Sequence, residues 1–139
     1  MNLETAVEFA RSHPKSVLAT IRRDTRPQLS NVLHRVGPDG VVRISITADR
    51  AKYHNLRREP WAALNISSDD FWSYVVLEGE AEISPVAQDP ADATVDELVD
   101  YYRALSGEHE DWDDYRRAMV ADRRAVVRLT PTRAYGLLR

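Results

Sequence analysis

The chain has 139 residues, 43% of them hydrophobic and 29% charged, with a formal net charge of −3 and no cysteine. That suffices for one domain, residues 1–139, with a core of its own, and it excludes disulfide staples, thiolate metal sites and the strongly basic balance of a non-specific nucleic-acid binder. No apolar run approaches the ~20 residues of a membrane-spanning helix, and the start Met1-Asn2-Leu3-Glu4-Thr5 lacks a signal-peptide pattern, so the cytoplasm is the expected compartment.

Leu3, Ala6, Val7 and Ala10 recur at helical spacing behind Asn2, a good N-cap, and His13-Pro14 stops the pattern. Ser16 to Ile21 reads as a strand, Arg23 to Arg26 as a turn, and Pro27 to His34 as the second arm of a hairpin. The turn Gly37-Pro38-Asp39-Gly40 leads into a strand over Val41 to Thr47, which predicts a three-stranded meander. Arg50 to Arg58 then reads as a short helix ending at Glu59-Pro60, and Trp61 to Ile66 as a fourth strand. Ser68-Asp69-Asp70 turns into a strand from Phe71 to Gly79 that continues through Ile83. Val95, Leu98, Val99, Tyr102 and Leu105 lie on one helical face, with acid in the early turns where the helix dipole favours it. A second helix follows Asp111, and Ala125 to Leu129 returns as the last strand. Short strands with helices set to one side predict an α+β fold, mainly an antiparallel β-barrel with flanking helices, rather than alternating βαβ units.

Function is written most densely in Asp49-Arg50-Ala51-Lys52-Tyr53-His54-Asn55-Leu56-Arg57-Arg58. Lys52 is one of two lysines beside seventeen arginines, and a lysine supplies a compact point charge rather than a planar fork. A strand leaving the core and turning into a helix presents free amide groups and the positive end of a dipole, so the segment reads as an anion clamp. The same run also reads as a solvated helix face. Charge is divided along the chain, basic from Arg22 to Arg58 and acidic from Asp89 to Asp114, which favours a small anionic ligand. No glycine-rich nucleotide loop, helical histidine pair or nucleophile elbow occurs, so the sequence gives no support for metal or covalent catalysis. Trp72 and Tyr74 alternate onto one strand face, suited to a planar ring, to the core or to a subunit interface. Ser30 and Asn31 are either a solvated edge or donors toward a heteroaromatic rim.

In order along the chain, Val17-Leu18-Ala19-Thr20-Ile21, Arg26-Pro27-Gln28-Leu29-Ser30-Asn31-Val32, Arg50-Ala51-Lys52 with Asn55-Leu56-Arg57-Arg58, and Trp72-Ser73-Tyr74 with Glu78-Gly79 resemble the pyridoxamine-phosphate-oxidase-like split β-barrels. Within them the likeness is to the reductases that depend on the deazaflavin coenzyme F420. Tyr102-Arg103, Gly107-Glu108-His109, Asp111 to Arg116 and Tyr135-Gly136-Leu137 extend it over nearly the whole chain.

The resemblance implies a homodimeric split β-barrel with a cofactor groove at the subunit interface and a hydride passed from reduced F420 to an unsaturated organic substrate. It places Arg50, Ala51, Lys52 and Asn55 in the segment that holds the cofactor phosphate. Ser30, Asn31 and Val32 fall beside the ring system, and Ser45, Ile46 and Thr47 border it through their main chain. Trp72, Ser73 and Tyr74 complete the groove, with either subunit as their source. FMN is the alternative cofactor within the same superfamily, and a binding protein that sequesters F420, FMN or a tetrapyrrole without turnover is the alternative function.

Overall fold

The computed structural model describes residues 1–139. Helix α1 (Leu3–Ser12) begins where the Asn2 side chain accepts from the Thr5 amide at 3.2 Å, and it buries Ala6 and Ala10 in the main core. Seven strands follow: β1 (Lys15–Ile21), β2 (Pro27–Leu33), β3 (Arg35–Val36), β4 (Val42–Thr47), β5 (Trp61–Ser67), β6 (Tyr74–Ile83) and β7 (Arg124–Leu137). Helix α2 (Ala51–Arg58) lies between β4 and β5, while α3 (Ala93–Ser106) and α4 (Trp112–Ala121) precede β7. The strands form one antiparallel sheet in the order β2-β1-β5-β6-β7-β4-β3.

The two ends of that order are neighbours in the chain, since β2 and β3 are separated by His34 alone. The sheet therefore has to curl until its edges meet, which makes the split β-barrel of the α+β class. The expected meander stops at the first hairpin. β4 pairs along its length with β7, Val42 opposite Leu129 through Thr47 opposite Arg124, and not with β2. Burial decides this: Val42, Ile44 and Ile46 share the core with Val127 and Leu129, whereas β2 has no fully buried residue to offer.

Two further expectations need correction. Phe71 to Ser73 belong to a turn rather than to β6. Asp70 accepts from the Ser68 hydroxyl at 2.5 Å and from the Trp72 amide at 3.1 Å, and Phe71 takes a left-handed φ of 78°, so the strand begins only at Tyr74. The last strand runs eight residues beyond Leu129, through Pro131, because a register shift at Glu78/Gly79 accommodates a residue with no amide to donate. Gly79 is needed there, since a Cβ would collide with the Thr130 carbonyl.

Alternation along β7 joins two cores. Val127 and Leu129 face the barrel, while Val126 faces a second cluster with Val95, Leu98, Val99, Tyr115 and Met119 of the helices. Glu97 on α3 ties this layer down by accepting from Arg43 at 2.9 Å and from Arg128 at 2.5 Å. Burial raises the Glu97 pKa, but hydrogen bonds from Arg128 and Arg43 outweigh it and hold the carboxyl below its ordinary range.

His34, at the junction of β2 and β3, is 1% exposed. Its Nε2 lies 2.9 Å from the Ala10 carbonyl and its Nδ1 2.7 Å from the Ser16 hydroxyl. A carbonyl can only accept, so Nε2 carries a proton, and in the neutral ring that burial favours Nδ1 accepts from Ser16. Burial, reinforced by the nearby His13 charge and only partly offset by the bond to Ala10, lowers the pKa below 6.5. The unfolded chain thus takes up this proton first, so the stabilisation is complete above about pH 6.5 and is lost as pH falls through and below that value. Thermal melts of wild type and His34→Gln should converge between pH 7 and about pH 5; a constant gap between them would show that His34 does not titrate with unfolding.

Candidate functional site

The curl that brings β3 beside β4 does not continue into β2. Arg35 pairs with Arg43 and Val36 with Val42, but two residues upstream of Arg35, across His34, Leu33 pairs with Lys15 of β1. The strands diverge from His34 like a fork. Ser30, Asn31, Val32 and Leu33 lie on one arm, Ser45, Ile46 and Thr47 on the other, and the start of α2 with parts of α3 and α4 completes a cleft of about 860 Å³. Ile46 is itself in the core, so it presents its main chain. The site residues expected on β2, on β4 and at Arg50, Ala51 and Lys52 are brought together here.

Arg50 is the N-cap of α2, yet no side chain caps the helix and no acid sits in its first turn. The amide end of the helix is therefore open toward the cleft. Lys52 projects from that turn and donates to the Ser30 hydroxyl at 3.4 Å. Burial first, then the charges of Arg50 and Arg124, push its ammonium below the ordinary 10.5.

Arg124, the first residue of β7, is the third cation. It donates from Nη1 to Ser45 Oγ at 3.4 Å, while its buried Nε has no hydrogen-bond partner. The nearest carboxylate, that of Asp122, is 3.8 Å from Nε, beyond hydrogen-bond range. Asp49 is the one acid lining the cleft. It is fully exposed, and the Thr47 hydroxyl is the main cause holding its carboxyl below the ordinary value. Three cations thus surround a cleft with little counter-charge, and a doubly charged anion such as a phosphate monoester, or a phosphodiester, would relieve their repulsion and satisfy the orphaned Nε.

The other wall is aromatic. Tyr101 on α3 donates to the Leu33 carbonyl at 2.8 Å, and burial raises its pKa against a main-chain hydrogen bond with Ser45. It therefore reaches both arms of the fork. Tyr115 on α4 donates to the Leu98 carbonyl at 2.9 Å, and burial, with the neighbouring Tyr101, pushes it to about 12. Both phenols stay protonated at neutral pH. Tyr102 and Met119 complete this side. Arg124 and the tyrosine wall are absent from the site read in the sequence. Tyr102 and Tyr115 stood there only as helix-face residues and family-like fragments, and no local signal links Arg124 to Ser45, 79 positions away.

Four expected residues do not line this cleft. Asn55 is buried beneath it, donating to Thr20 Oγ1 at 3.2 Å and to Gln28 Oε1 at 3.1 Å and accepting from Arg58 at 3.3 Å. It fastens α2 to the β1–β2 hairpin. Trp72, Ser73 and Tyr74 lie where β6 meets the chain terminus: Ser73 is buried and accepts from the Arg139 amide at 2.8 Å, while Trp72 is 64% and Tyr74 36% exposed. Phe71, beside them, borders a shallow depression that shares Asn31, Val32 and Leu33 with the cleft.

The family model described as pyridoxamine 5'-phosphate oxidase matches residues 3–138. Among solved structures, one described as an F420 reductase is 27% identical, with 97% of each chain covered and a TM-score of 0.68. A conserved hypothetical protein from Mycobacterium tuberculosis is 24% identical, with 98% of this chain and 84% of that one covered and a TM-score of 0.74. A heme storage protein from Vibrio cholerae is 15% identical over 98% and 95%, with a TM-score of 0.69. The last two establish the likeness of fold alone.

Replacing Lys52 by Ala should weaken binding of a phosphate-bearing ligand by about 1–3 kcal/mol, through loss of a charge-assisted bond, without moving the melting temperature appreciably. Asn55→Ala should do the reverse first: it leaves Thr20 and Gln28 without their donor and should lower stability by about 1–3 kcal/mol. Calorimetric titration paired with thermal melts separates the two, and equal effects from both variants would undo the division of labour between cleft and bracket.

Proposed function

The chain belongs to the pyridoxamine 5'-phosphate oxidase family, and from that membership and the cleft's chemistry we propose that it is an F420-dependent reductase. The observation that carries this reading is the convergence of Arg50, Lys52 and Arg124, with an unpartnered Arg124 Nε, on a cleft large enough for a tricyclic ring. Likeness to the F420 reductase, 27% identical over 97% of both chains, favours deazaflavin over FMN.

The residues present fit such a group. Arg50, Lys52, Arg124 and the open start of α2 would hold its phosphate. Ser45, Ile46 and Thr47 would border the ring with their main chain, Val32 with an apolar surface, and Ser30 and Asn31 with hydrogen-bonding groups at its rim. When bound and reduced, the deazaflavin supplies a hydride to an unsaturated organic acceptor. Tyr101, Tyr115 and Met119 limit access of water from the helical side and hold the cleft's width. Their phenols remain neutral, so they exert no charge repulsion on an electron-rich ring.

Trp72, Ser73 and Tyr74 fit this function as an interface rather than as part of the cleft of their own chain. Phe71, Trp72, Tyr74, Tyr135 and Leu137 are all exposed, and the depression at Phe71 is continuous with the cleft through β2. A second copy of the chain seated on this apolar surface would bring its own copies of these residues to the groove and form the homodimer.

Titrating the apo protein with F420 and with FMN in a calorimeter, at low and moderate salt, tests the cofactor. F420 should bind more tightly, and its affinity should fall with salt as exposed cations are screened. A preference for FMN would replace the deazaflavin reading, and binding of neither would remove the oxidoreductase proposal. Sedimentation at micromolar concentration should give a dimer for the wild type and a shift toward monomer for the Trp72→Asp variant. A monomeric wild type would remove the shared groove.

A further inference from the structure

Three tyrosines line the helical wall of the cleft, and they are not equivalent. The hydroxyls of Tyr101 and Tyr115 are already donated to the carbonyls of Leu33 and Leu98. Tyr102 lines the same cleft, and its hydroxyl has no partner within the chain.

Its ring is held by three others. Centroid distances from Tyr102 are 5.2 Å to His109, 5.7 Å to Trp112 and 5.0 Å to Tyr115, and those three rings lie within 5.6 Å of one another. All these spacings fall in the range of favourable aromatic pairing. The cluster is fastened from behind: Glu108 accepts from Trp112 Nε1 at 2.8 Å and from Arg103 Nε at 2.9 Å, Arg103 stacks over the Trp112 ring at 4.9 Å, and His109 Nδ1 accepts from the Asp111 amide at 2.9 Å. Gly107, at φ 81°, gives the turn that folds His109 back onto α3. Such a clamp presents a phenol whose ring is ordered before anything binds, so little side-chain freedom is lost when the hydroxyl engages a ligand.

We propose that Tyr102 is a specificity-determining residue: its hydroxyl donates a hydrogen bond to a carbonyl or ring oxygen of a flat, conjugated acceptor lying against the wall formed with Tyr115 and Met119. The assignment of that molecule as hydride acceptor rests on the reductase reading; the binding preference does not. The wall's chemistry selects the class. Aromatic faces and a thioether favour a planar apolar body, Arg50 and Lys52 stand away from it at the start of α2, and the one tyrosine hydroxyl of the wall left without a partner asks for one oxygen acceptor.

The test uses two bicyclic probes of similar size, coumarin, which carries a conjugated carbonyl, and naphthalene, which carries no oxygen. Equilibrium dialysis against wild type, Tyr102→Phe and Tyr101→Phe reads the affinities, and near-ultraviolet circular dichroism checks that the aromatic cluster is intact. Tyr102→Phe should lose roughly tenfold in coumarin affinity, the worth of one hydrogen bond, and nothing in naphthalene affinity. Tyr101→Phe should change the two probes alike. Equal coumarin binding by wild type and Tyr102→Phe, no coumarin binding by wild type, or discrimination lost equally in Tyr101→Phe would each overturn the proposal. F420 titration of the same proteins separates the two readings: a wild type that discriminates the probes but does not bind F420 retires the reductase and leaves the role of Tyr102 in ligand selection standing.

Discussion

One covalent constraint organises this molecule: the strands at opposite ends of the sheet order, β2 and β3, are joined through a single residue, His34. Because the edges must meet there, the sheet cannot lie flat. Because β2 remains committed to β1 over its full length, the edges also cannot stay together. A barrel that is closed at one point and parted beyond it follows from connectivity, and the parted region is the cleft. The neutral, doubly hydrogen-bonded His34 at the junction is what such a point requires, since a charged ring there would be buried without a counter-ion.

Everything that gives the cleft its chemistry arrives from a different part of the chain. β4 runs out of the barrel into α2 and delivers Arg50 and Lys52. β7 delivers Arg124 from the strand hydrogen-bonded to β4, and α3 and α4 deliver the tyrosines. The cations repel one another, yet each is held by its element: Lys52 by the helix that Asn55 brackets to the hairpin, Arg124 by the ladder to β4. Local charge repulsion is thus carried by the stability of the barrel.

Much of the fold is legible in the sequence itself. The strand and helix periods, the turn at Gly37 to Gly40 and the cationic helix start at Arg50 to Lys52 are local features, and the sequence carries local features directly. What was not legible depended on pairing. The strand from Val41 was expected to continue a meander because neighbouring strands usually pair, but its buried face matched β7 better. Phe71 to Ser73 looked like strand because two aromatics alternate with small residues, while the turn made by Ser68 and Asp70 prevailed. Arg124 was invisible because its meaning lies in Ser45 and Lys52, both more than seventy positions away. The ordered set of family-like segments supplied the split barrel, which no periodicity could have done.

The two cores share β7, Val126 facing the helices and Val127 the barrel, and α3 is tied to the barrel again where Glu97 meets Arg43 and Tyr101 donates to the Leu33 carbonyl. An opening of the α3–α4 layer that left the strands intact would have to break these ties together with the Val126 cluster. A molecule that bridges β4 and the tyrosine wall contacts both units at once, so the opening that releases it must break contacts that neither unit makes alone. A ligand held in that way would leave at a rate set by how readily the helix pair parts from the barrel.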